Sequence, residues 1–170
     1  MHDNMIELKT KKDSVPKVFG KVQFISQYDC GKTEILQESN LSLNNLYAHI
    51  IDCLRDGQFV ANRIDLISVG KGGHSAGDIY TPIPPQASDI ALDDEIDPPG
   101  KKQIVTRASA TAYEVEFNTT FFKDEANEQI TEAGLFLDNG TIVNRVTFPA
   151  FEKSNLVTML VRWFLYFNIT

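Results

Sequence analysis

Apolar and polar residues alternate along most of this chain, and that pattern predicts β-strands. A period of two residues places apolar side chains on one face of a strand and polar side chains on the other. In the first run, Gly20 predicts a bulge or a kink. The alternating runs lie at 18–26, 33–36, 63–69, 102–107 and 110–122.

One segment changes to a helical period. Its apolar residues recur at intervals of three and four, which places them on one face of a helix. Ser42 is a candidate N-cap, and Gly57 is a candidate C-terminal stop. We therefore expect one helix at about 42–56, packed against a sheet through Leu43, Leu46, Tyr47, Ile50, Ile51 and Leu54.

The composition changes sharply between residues 70 and 100. This stretch holds five of the chain's seven prolines together with a concentration of acidic residues. Proline lacks a backbone donor and fixes φ, so no regular element longer than a few residues is expected here. Loops of this length are usually functional or disordered. On an assembly protein, such a loop would dock on a neighbouring subunit.

The last third of the chain predicts a β-hairpin and a closing strand. Asp138, Asn139 and Gly140 stand between two alternating runs. Asn and Gly reach positive φ at low cost, which favours a tight turn at this point. Three residues also leave room for a bulged loop, so the turn type is open.

These elements predict a mainly β fold. Seven or eight strands and one helix occur without the βαβ alternation of a parallel sheet. An antiparallel β-sandwich with one packed helix and a long Pro/Asp-rich loop is the simplest architecture. We expect an N-terminal arm at 1–16 and a single domain at 17–170.

Composition excludes several classes of function. The 170-residue chain carries a net charge of −7, which argues against a nucleic-acid surface, because phosphates are bound by clustered Lys and Arg. The lysines near residues 9–12 are expected to be solvated. Cys30 and Cys53 are too few for a disulfide scaffold and predict reduced thiols. Neither a secretory signal nor a membrane-spanning run is expected, since the run at 156–169 is short and contains Arg162.

Two motifs resemble enzyme signatures, and physical arguments count against both. The sequence at 73–77 matches the nucleophile elbow of hydrolases, but prolines follow where a helix is needed. No His lies downstream of Ser75 to act as its base. The segment Gly31-Lys32-Thr33 ends like a phosphate-binding loop, but Ser26 replaces the required first Gly. A hairpin turn is the simpler interpretation there.

No metal or cofactor is expected. The acidic run at 93–97 lacks the glycine and the spacing of a calcium loop, which favours a solvated acidic loop. His49 lies beside the apolar face of the helix without another His or Cys at ligand spacing. It is therefore expected to pack at the rim of that face.

One family resemblance rests on residues 130–149. The order Glu132-Ala133-Gly134-Leu135-Phe136, Asp138-Asn139-Gly140-Thr141 and Arg145-Val146-Thr147-Phe148-Pro149 resembles a recurring pattern in tailed-bacteriophage virion proteins. It is similar to the attachment domain of tail-collar and tail-fibre proteins and to related neck and baseplate components. The segment 62–73 resembles the strand-plus-glycine element of those domains, so the resemblance spans about 40–170.

The resemblance implies a non-enzymatic structural protein of the virion, assembled in the host cytoplasm. Its expected partners are other virion proteins in the tail, neck or collar, baseplate or fibre attachment, and a symmetric homo-oligomer is expected. Because no repeat, coiled coil or shaft is visible, a short adaptor or ring component is expected rather than a fibre. The arm 1–16 and the loop 70–100 are the expected inter-subunit contacts.

Two residues of the motif region have open interpretations. Glu132 is either an exposed strand residue or a carboxylate that holds a loop or pairs with Arg145 or Arg162. Trp163 is either a core residue or an interface anchor. The structural motif expected to matter for interfaces comprises Glu132, Gly134, Asp138, Asn139, Gly140, Arg145, Phe148, Pro149 and Trp163.

Two other functions compete with a virion role. The first is a stand-alone ligand- or carbohydrate-binding β-sandwich module, which would require aromatic side chains exposed on one face. The single Trp gives that reading little support. The second is a small hydrolase that uses Ser75.

Overall fold

A computed structural model describes residues 17–56, 62–111 and 113–168 of the protein. One helix, α1, spans Asn44–Asp56. The strands are β1 (Lys17–Tyr28), β2 (Thr33–Ser42), β3 (Ile64–Gly70), β4 (His74–Ser75), β5 (Asp78–Pro82), β6 (Lys102–Gln103), β7 (Thr106–Thr111), β8 (Glu114–Phe121), β9 (Gln129–Leu137), β10 (Ile142–Glu152) and β11 (Val157–Asn168).

Nine of these strands form one antiparallel, strongly curled sheet, a half-barrel. Their order is β6-β3-β9-β10-β2-β1-β11-β8-β7, and β4 and β5 form a separate small hairpin. The expected mainly β, antiparallel fold with one helix is confirmed. The antiparallel β-sandwich expected from the sequence is not shown in the described ranges, because β2 joins both halves of the nine-stranded sheet. Its residues 33–40 pair with β1, and Leu41 and Ser42 pair with β10.

The core lies inside the curl, where the two halves of the sheet face each other. The ring centroids of Phe24 on β1 and Phe148 on β10 are 4.9 Å apart. Trp163 on β11 and Leu135 on β9 belong to the same buried cluster. Leu46 of α1 joins this cluster and Ile50 packs against it, so part of the predicted apolar face packs on the sheet. Ile51 and Leu54, expected on the same packed face, are 60% and 73% exposed.

The junction between β2 and α1 differs from the prediction. Ser42 ends the strand instead of capping the helix, because its hydroxyl donates to the Val18 carbonyl at 3.0 Å. Asn144 donates to the same hydroxyl at 3.1 Å. The strand is therefore longer than the 33–36 expected, and the helix begins at Asn44. The predicted stop, Gly57, lies outside the described residues.

Gly20 does not form the bulge that its position suggested. Strand β1 keeps continuous register through it, with Gly20 opposite Leu165 on β11 and Asn40 on β2. A β-carbon on Gly20 would lie 1.8 Å from the side-chain oxygen of Asn40. The glycine is needed to leave space for that neighbouring side chain.

The hairpin predicted at 138–140 connects β9 to β10. The Gly140 amide donates to the Leu137 carbonyl at 2.9 Å, and Gly140 has a φ of 86°. Asn139 accepts the Thr141 amide at 3.0 Å through its side chain. A turn that ends in a left-handed glycine is the bulged form that the sequence left open.

The two segments that resemble enzyme motifs lie in hairpins. Residues 29–32 connect β1 to β2, with Gly31 at a φ of 84°. The segment 73–77 lies in the β4–β5 hairpin, and strand β5 follows it where a nucleophile elbow requires a helix. The expected arm at 1–16 lies outside the described residues. Among the helices of the described ranges, none is long and apolar enough to cross a membrane.

Candidate functional site

The carboxylate of Glu132 is the centre of a polar cluster inside the protein. Its residue is fully buried, with 0% of its surface exposed. One carboxylate oxygen accepts the backbone amides of Gly72 at 3.1 Å and Asp94 at 2.9 Å. The other accepts the Asp93 amide at 3.2 Å. Of the two interpretations of Glu132, the structure shows the one in which the carboxylate holds a loop.

Arg145 supplies the positive charge of the cluster. It lies on β10 and donates to Glu132 through Nη2 at 2.7 Å and Nε at 3.2 Å. Nη1 donates to Asp89 at 2.6 Å, and Nη2 also lies 2.8 Å from Asp93. All three carboxylates therefore meet one buried guanidinium, whose planar donor set suits this kind of recognition.

Electrostatics keep Arg145 charged. Burial alone lowers the pKa of a guanidinium, because it penalises the charged form. Hydrogen bonds and charges from Asp93, Glu132 and Asp89 outweigh that effect and raise the pKa of Arg145 above its ordinary value. The cluster is accordingly an ion-pair network in which every described contact favours the charged arginine.

Glycines at the end of β3 and in the segment that follows it make this close approach possible. A β-carbon on Gly70 would lie 2.6 Å from the Glu132 carboxylate, and one on Gly72 would lie 2.7 Å from it. Gly73 has a φ of 70°, and its β-carbon would lie 2.6 Å from Thr147. The Gly-Lys-Gly-Gly sequence is therefore a packing requirement of the buried carboxylate.

The long loop between β3 and β6 is attached to the sheet at several further points. The Lys71 amide donates to the Asp94 carbonyl at 2.8 Å, and the Ile96 amide donates to the Val69 carbonyl at 3.0 Å. Leu92 and Ile96 are buried in the apolar clusters. The loop thus runs beside β3 and is held by backbone, apolar and ionic contacts together.

The loop exposes apolar side chains on its outer side. Ile90 is 81% exposed, and Tyr80 and Ile83 are also exposed. The Ile83 carbonyl accepts the Thr147 hydroxyl at 2.8 Å, which ties this part of the loop to β10. Exposed apolar side chains therefore lie on a segment that is attached to the sheet.

The other predicted motif residues outside the β9–β10 turn occupy strand and core positions. Gly134 faces Arg145 across the β9–β10 pair, and a β-carbon there would lie 2.8 Å from the Phe136 ring. Phe148 is buried, and Pro149 lies where the β10 register shifts and a missing amide donor costs little. Trp163 is fully buried, so it is a core residue in the protein described here.

Arg162, the alternative partner considered for Glu132, pairs elsewhere. Its Nε donates to Glu116 on β8 at 2.6 Å. The Glu116 hydrogen bond raises the pKa of Arg162 above its ordinary value. Arg145 and Arg162 therefore form their ion pairs in different halves of the sheet.

Two polar contributions escaped sequence reasoning. The acidic residues Asp93, Asp94 and Asp97 are exposed, as expected of a solvated loop, but Asp93 also accepts the Gly73 amide at 3.1 Å. Lys153 is buried, and its ammonium donates to the Phe122 carbonyl at 2.7 Å and to Asn127 at 3.0 Å. Burial lowers the pKa of Lys153.

The remaining candidate groups are His74 with Ser75, the two cysteines and His49. His74 lies within 3.0 Å of the Lys71 and Ser75 carbonyl oxygens, so its ring nitrogens face backbone oxygens rather than the Ser75 hydroxyl. Cys30 is exposed and Cys53 partly buried, and both are free thiols. His49 lies 3.7 Å from the Cys53 sulfur. In the described ranges, no group of three potential metal ligands converges.

Comparison with known proteins gives no match: no family, no curated protein and no solved structure is significantly similar to this chain.

Proposed function

We propose that this protein is a non-enzymatic structural component of a tailed-phage virion. It acts through protein–protein contacts in the tail, the neck or collar, or the baseplate, including fibre attachment. The two facing halves of its curled sheet serve as the two layers of the expected sandwich. The protein works as a rigid support that presents the loop between β3 and β6 to other virion proteins.

The observation that carries this proposal is the Glu132–Arg145 cluster. The residues that resemble the virion motif are the residues that hold the loop, since Glu132 binds its backbone and Arg145 binds Asp89 and Asp93. A cluster in which each charged group already has partners is suited to fixing a loop. It leaves no unengaged base or nucleophile for chemistry.

The loop surface supports a role in assembly. Burying exposed apolar side chains such as Ile90, Tyr80 and Ile83 would favour association with a partner. Because the loop is already held in place, binding would cost less conformational entropy than ordering a free segment. We propose that this surface contacts a neighbouring virion protein or another copy in a symmetric ring.

The proposal is tested on purified particles of the phage or prophage that encodes the chain. We expect mass spectrometry to find the protein in density-banded particles in a fixed ratio to the major tail protein. Deleting its gene should give particles that lack an intact tail or its appendages in electron micrographs. Absence from banded particles, with normal particles after deletion, would refute a virion role.

Complementation links this role to the cluster and its loop. We expect Ile90→Asp to restore few complete particles, because a charge in the apolar loop surface opposes burial in an interface. Ile35→Asp, at an apolar side chain of β2 that is 65% exposed and lies outside the loop, is the matched control and should restore normal particles. Binding of the purified protein to a glycan array, without particle association, would instead favour the carbohydrate-binding alternative.

A further inference from the structure

An apolar groove of about 350 Å³ opens between α1 and the sheet. Neither Glu132 nor Arg145 lines it. Its walls are almost entirely carbon, with His49 and Cys53 as the polar side chains of the helix wall. The helix and the sheet contribute its main apolar lining, which includes Leu46, Ile50, Leu54, Val115, Leu165 and Phe167.

The rim of this groove is exposed. Leu54 is 73% exposed on the helix side, and Phe167 is 41% exposed on the sheet side. Ile50 and Val115 are partly buried and pack against the main hydrophobic core, so they connect the groove to it. A continuous apolar surface of this kind gains free energy when another apolar segment covers it.

The N-terminal segment, residues 1–16, joins β1 beside the groove. Lys17, the first described residue, pairs with Asn168, and Val18 pairs with Phe167. Since Phe167 lines the groove, residues 1–16 connect to the fold one strand position from its wall.

That segment has suitable chemistry and sufficient length. Its apolar residues Met5, Ile6 and Leu8 form the densest apolar group in a mostly polar segment. Leu8 precedes Lys17 by nine residues, which span about 30 Å when extended. A helix of the length of α1 is about 20 Å long. The segment can therefore turn back and reach every part of the groove.

We propose that residues 1–16 occupy this groove in the same molecule, with Met5, Ile6 and Leu8 as the buried side chains. This interaction does not rest on the proposed virion function, because it uses neither the loop nor the Glu132 cluster. It replaces the inter-subunit contact that the sequence led us to expect for residues 1–16. It gives the N-terminal segment a defined docking site on the domain that follows it.

The two natural cysteines provide a direct test in the full chain. Cys53 lines the groove, and Cys30 lies exposed in the turn at the opposite end of β1 as an internal reference. Thiol labelling is followed separately at each cysteine by peptide mass spectrometry. In the variant Met5→Asp/Ile6→Asp/Leu8→Asp, we expect Cys53 to react on the order of tenfold faster because its cover is lost. The rate at Cys30 should not change.

Matched variants distinguish this occupant from another. The polar triple variant Asn4→Asp/Thr10→Asp/Ser14→Asp adds the same charge to the segment and should leave the Cys53 rate unchanged. An unchanged rate in the apolar triple variant would overturn the proposal. Acceleration by Phe59→Asp alone would also overturn it, because it would assign the groove to residues 57–61.

A cross-link supplies a second test that does not depend on weakening the fold. Ile6→Cys is placed in a Cys30→Ser background, and dilute protein is oxidised with diamide. We expect a disulfide between residues 6 and 53 within one chain, and its absence in a further Cys53→Ser variant. A disulfide-linked dimer would assign the segment to a second copy, and no cross-link would show that the segment does not reach the groove. Either result overturns the proposal.

Discussion

Two arginine–glutamate pairs lie in different halves of the sheet and share their chemistry but not their surroundings. Arg145 and Glu132 lie 2.7 Å apart, with 5% and 0% of their side chains exposed. Arg162 and Glu116 lie 2.6 Å apart, with 36% and 11% exposed. Distance therefore does not distinguish the pairs, whereas burial does.

The partners of each glutamate explain what the difference means. Glu132 also accepts the backbone amides of Gly72, Asp93 and Asp94, so its ion pair is part of the attachment of a loop. Glu116 and Arg162 lie on adjacent strands that are already joined by backbone hydrogen bonds. A buried pair that organises distant segments should affect stability far more than a pair added to an existing ladder.

Arg145→Met should have the largest effect. It leaves Glu132, Asp89 and Asp93 close together without their counter-charge, and breaking a buried pair in this way costs about 3–5 kcal/mol. We expect that loss in the free energy of unfolding measured with urea. Trypsin should also cleave the folded variant faster after Lys71 and Lys101, which flank the loop.

The double variant Glu132→Met/Arg145→Met sharpens this result. Removing both charges relieves the uncompensated carboxylate, but three backbone amides then lose their acceptor. We expect only partial recovery of stability and continued rapid cleavage of the loop. Full recovery of both properties would contradict the role assigned to Glu132.

Gly72→Ala should have the next largest effect. Its β-carbon would meet the Glu132 carboxylate at 2.7 Å and the Asp94 amide nitrogen at 2.8 Å. Forcing extra volume into such a site costs about 1–3 kcal/mol. Urea unfolding and trypsin sensitivity of the loop should change together.

Gly77→Ala is the matched control for Gly72→Ala. Gly77 has a φ of 80°, and its β-carbon would meet no atom within 4 Å. We expect only the cost of a left-handed alanine, about 1 kcal/mol, without faster cleavage at Lys71. Equal loop cleavage in the two variants would show that the space at Gly72 is not needed to hold the loop against Glu132.

Arg162→Met should destabilise the protein by less than about 1 kcal/mol, because the guanidinium is partly solvated and its strands are otherwise joined. The same urea measurement provides the comparison with Arg145→Met. Loop cleavage should match that of the unmodified protein. A loss as large as that of Arg145→Met would show that burial does not separate the two pairs.

The smallest expected effect is a pH dependence at Glu116. The Arg162 hydrogen bond is the main influence that lowers the pKa of Glu116 below its ordinary value of 4.5. Its contribution to stability is therefore present above pH 4.5 and is lost as the pH falls through the lowered pKa. We expect the stability difference between the protein and Glu116→Gln to shrink between pH 7 and pH 3. A difference that grows as the pH falls would contradict this sign.

Local patterns predicted much of the fold. The alternation at 18–26 and 63–69 corresponds to β1 and β3, and the Asp-Asn-Gly sequence corresponds to the β9–β10 turn. These predictions succeed because a residue period or a turn conformation depends on neighbours in sequence. The helix was also predicted, although its start at Asn44 was not.

The predictions that differ from the structure failed because of contacts between residues that are distant in sequence. Ser42 resembles an N-cap locally, but its partners Val18 and Asn144 are distant in sequence. Gly20 resembles a bulge, but the side chain of Asn40 is the reason for it. The sandwich prediction did not include the pairing of β2 with both β1 and β10, which joins the two halves of the sheet. None of these partners is visible in a local pattern.

The sequence by itself determined β1, β3, the helix and the β9–β10 hairpin, since each follows from short-range periodicity or backbone chemistry. It did not determine the full length of β2 or the division of residues 102–121 among β6, β7 and β8. Only the tertiary structure decided that Glu132 and Arg145 are buried together and that Asp89 and Asp93 complete their cluster. The reason is that the burial of a charge depends on what surrounds it. Here the surroundings come from a strand pair and a loop about 40 residues earlier in the chain.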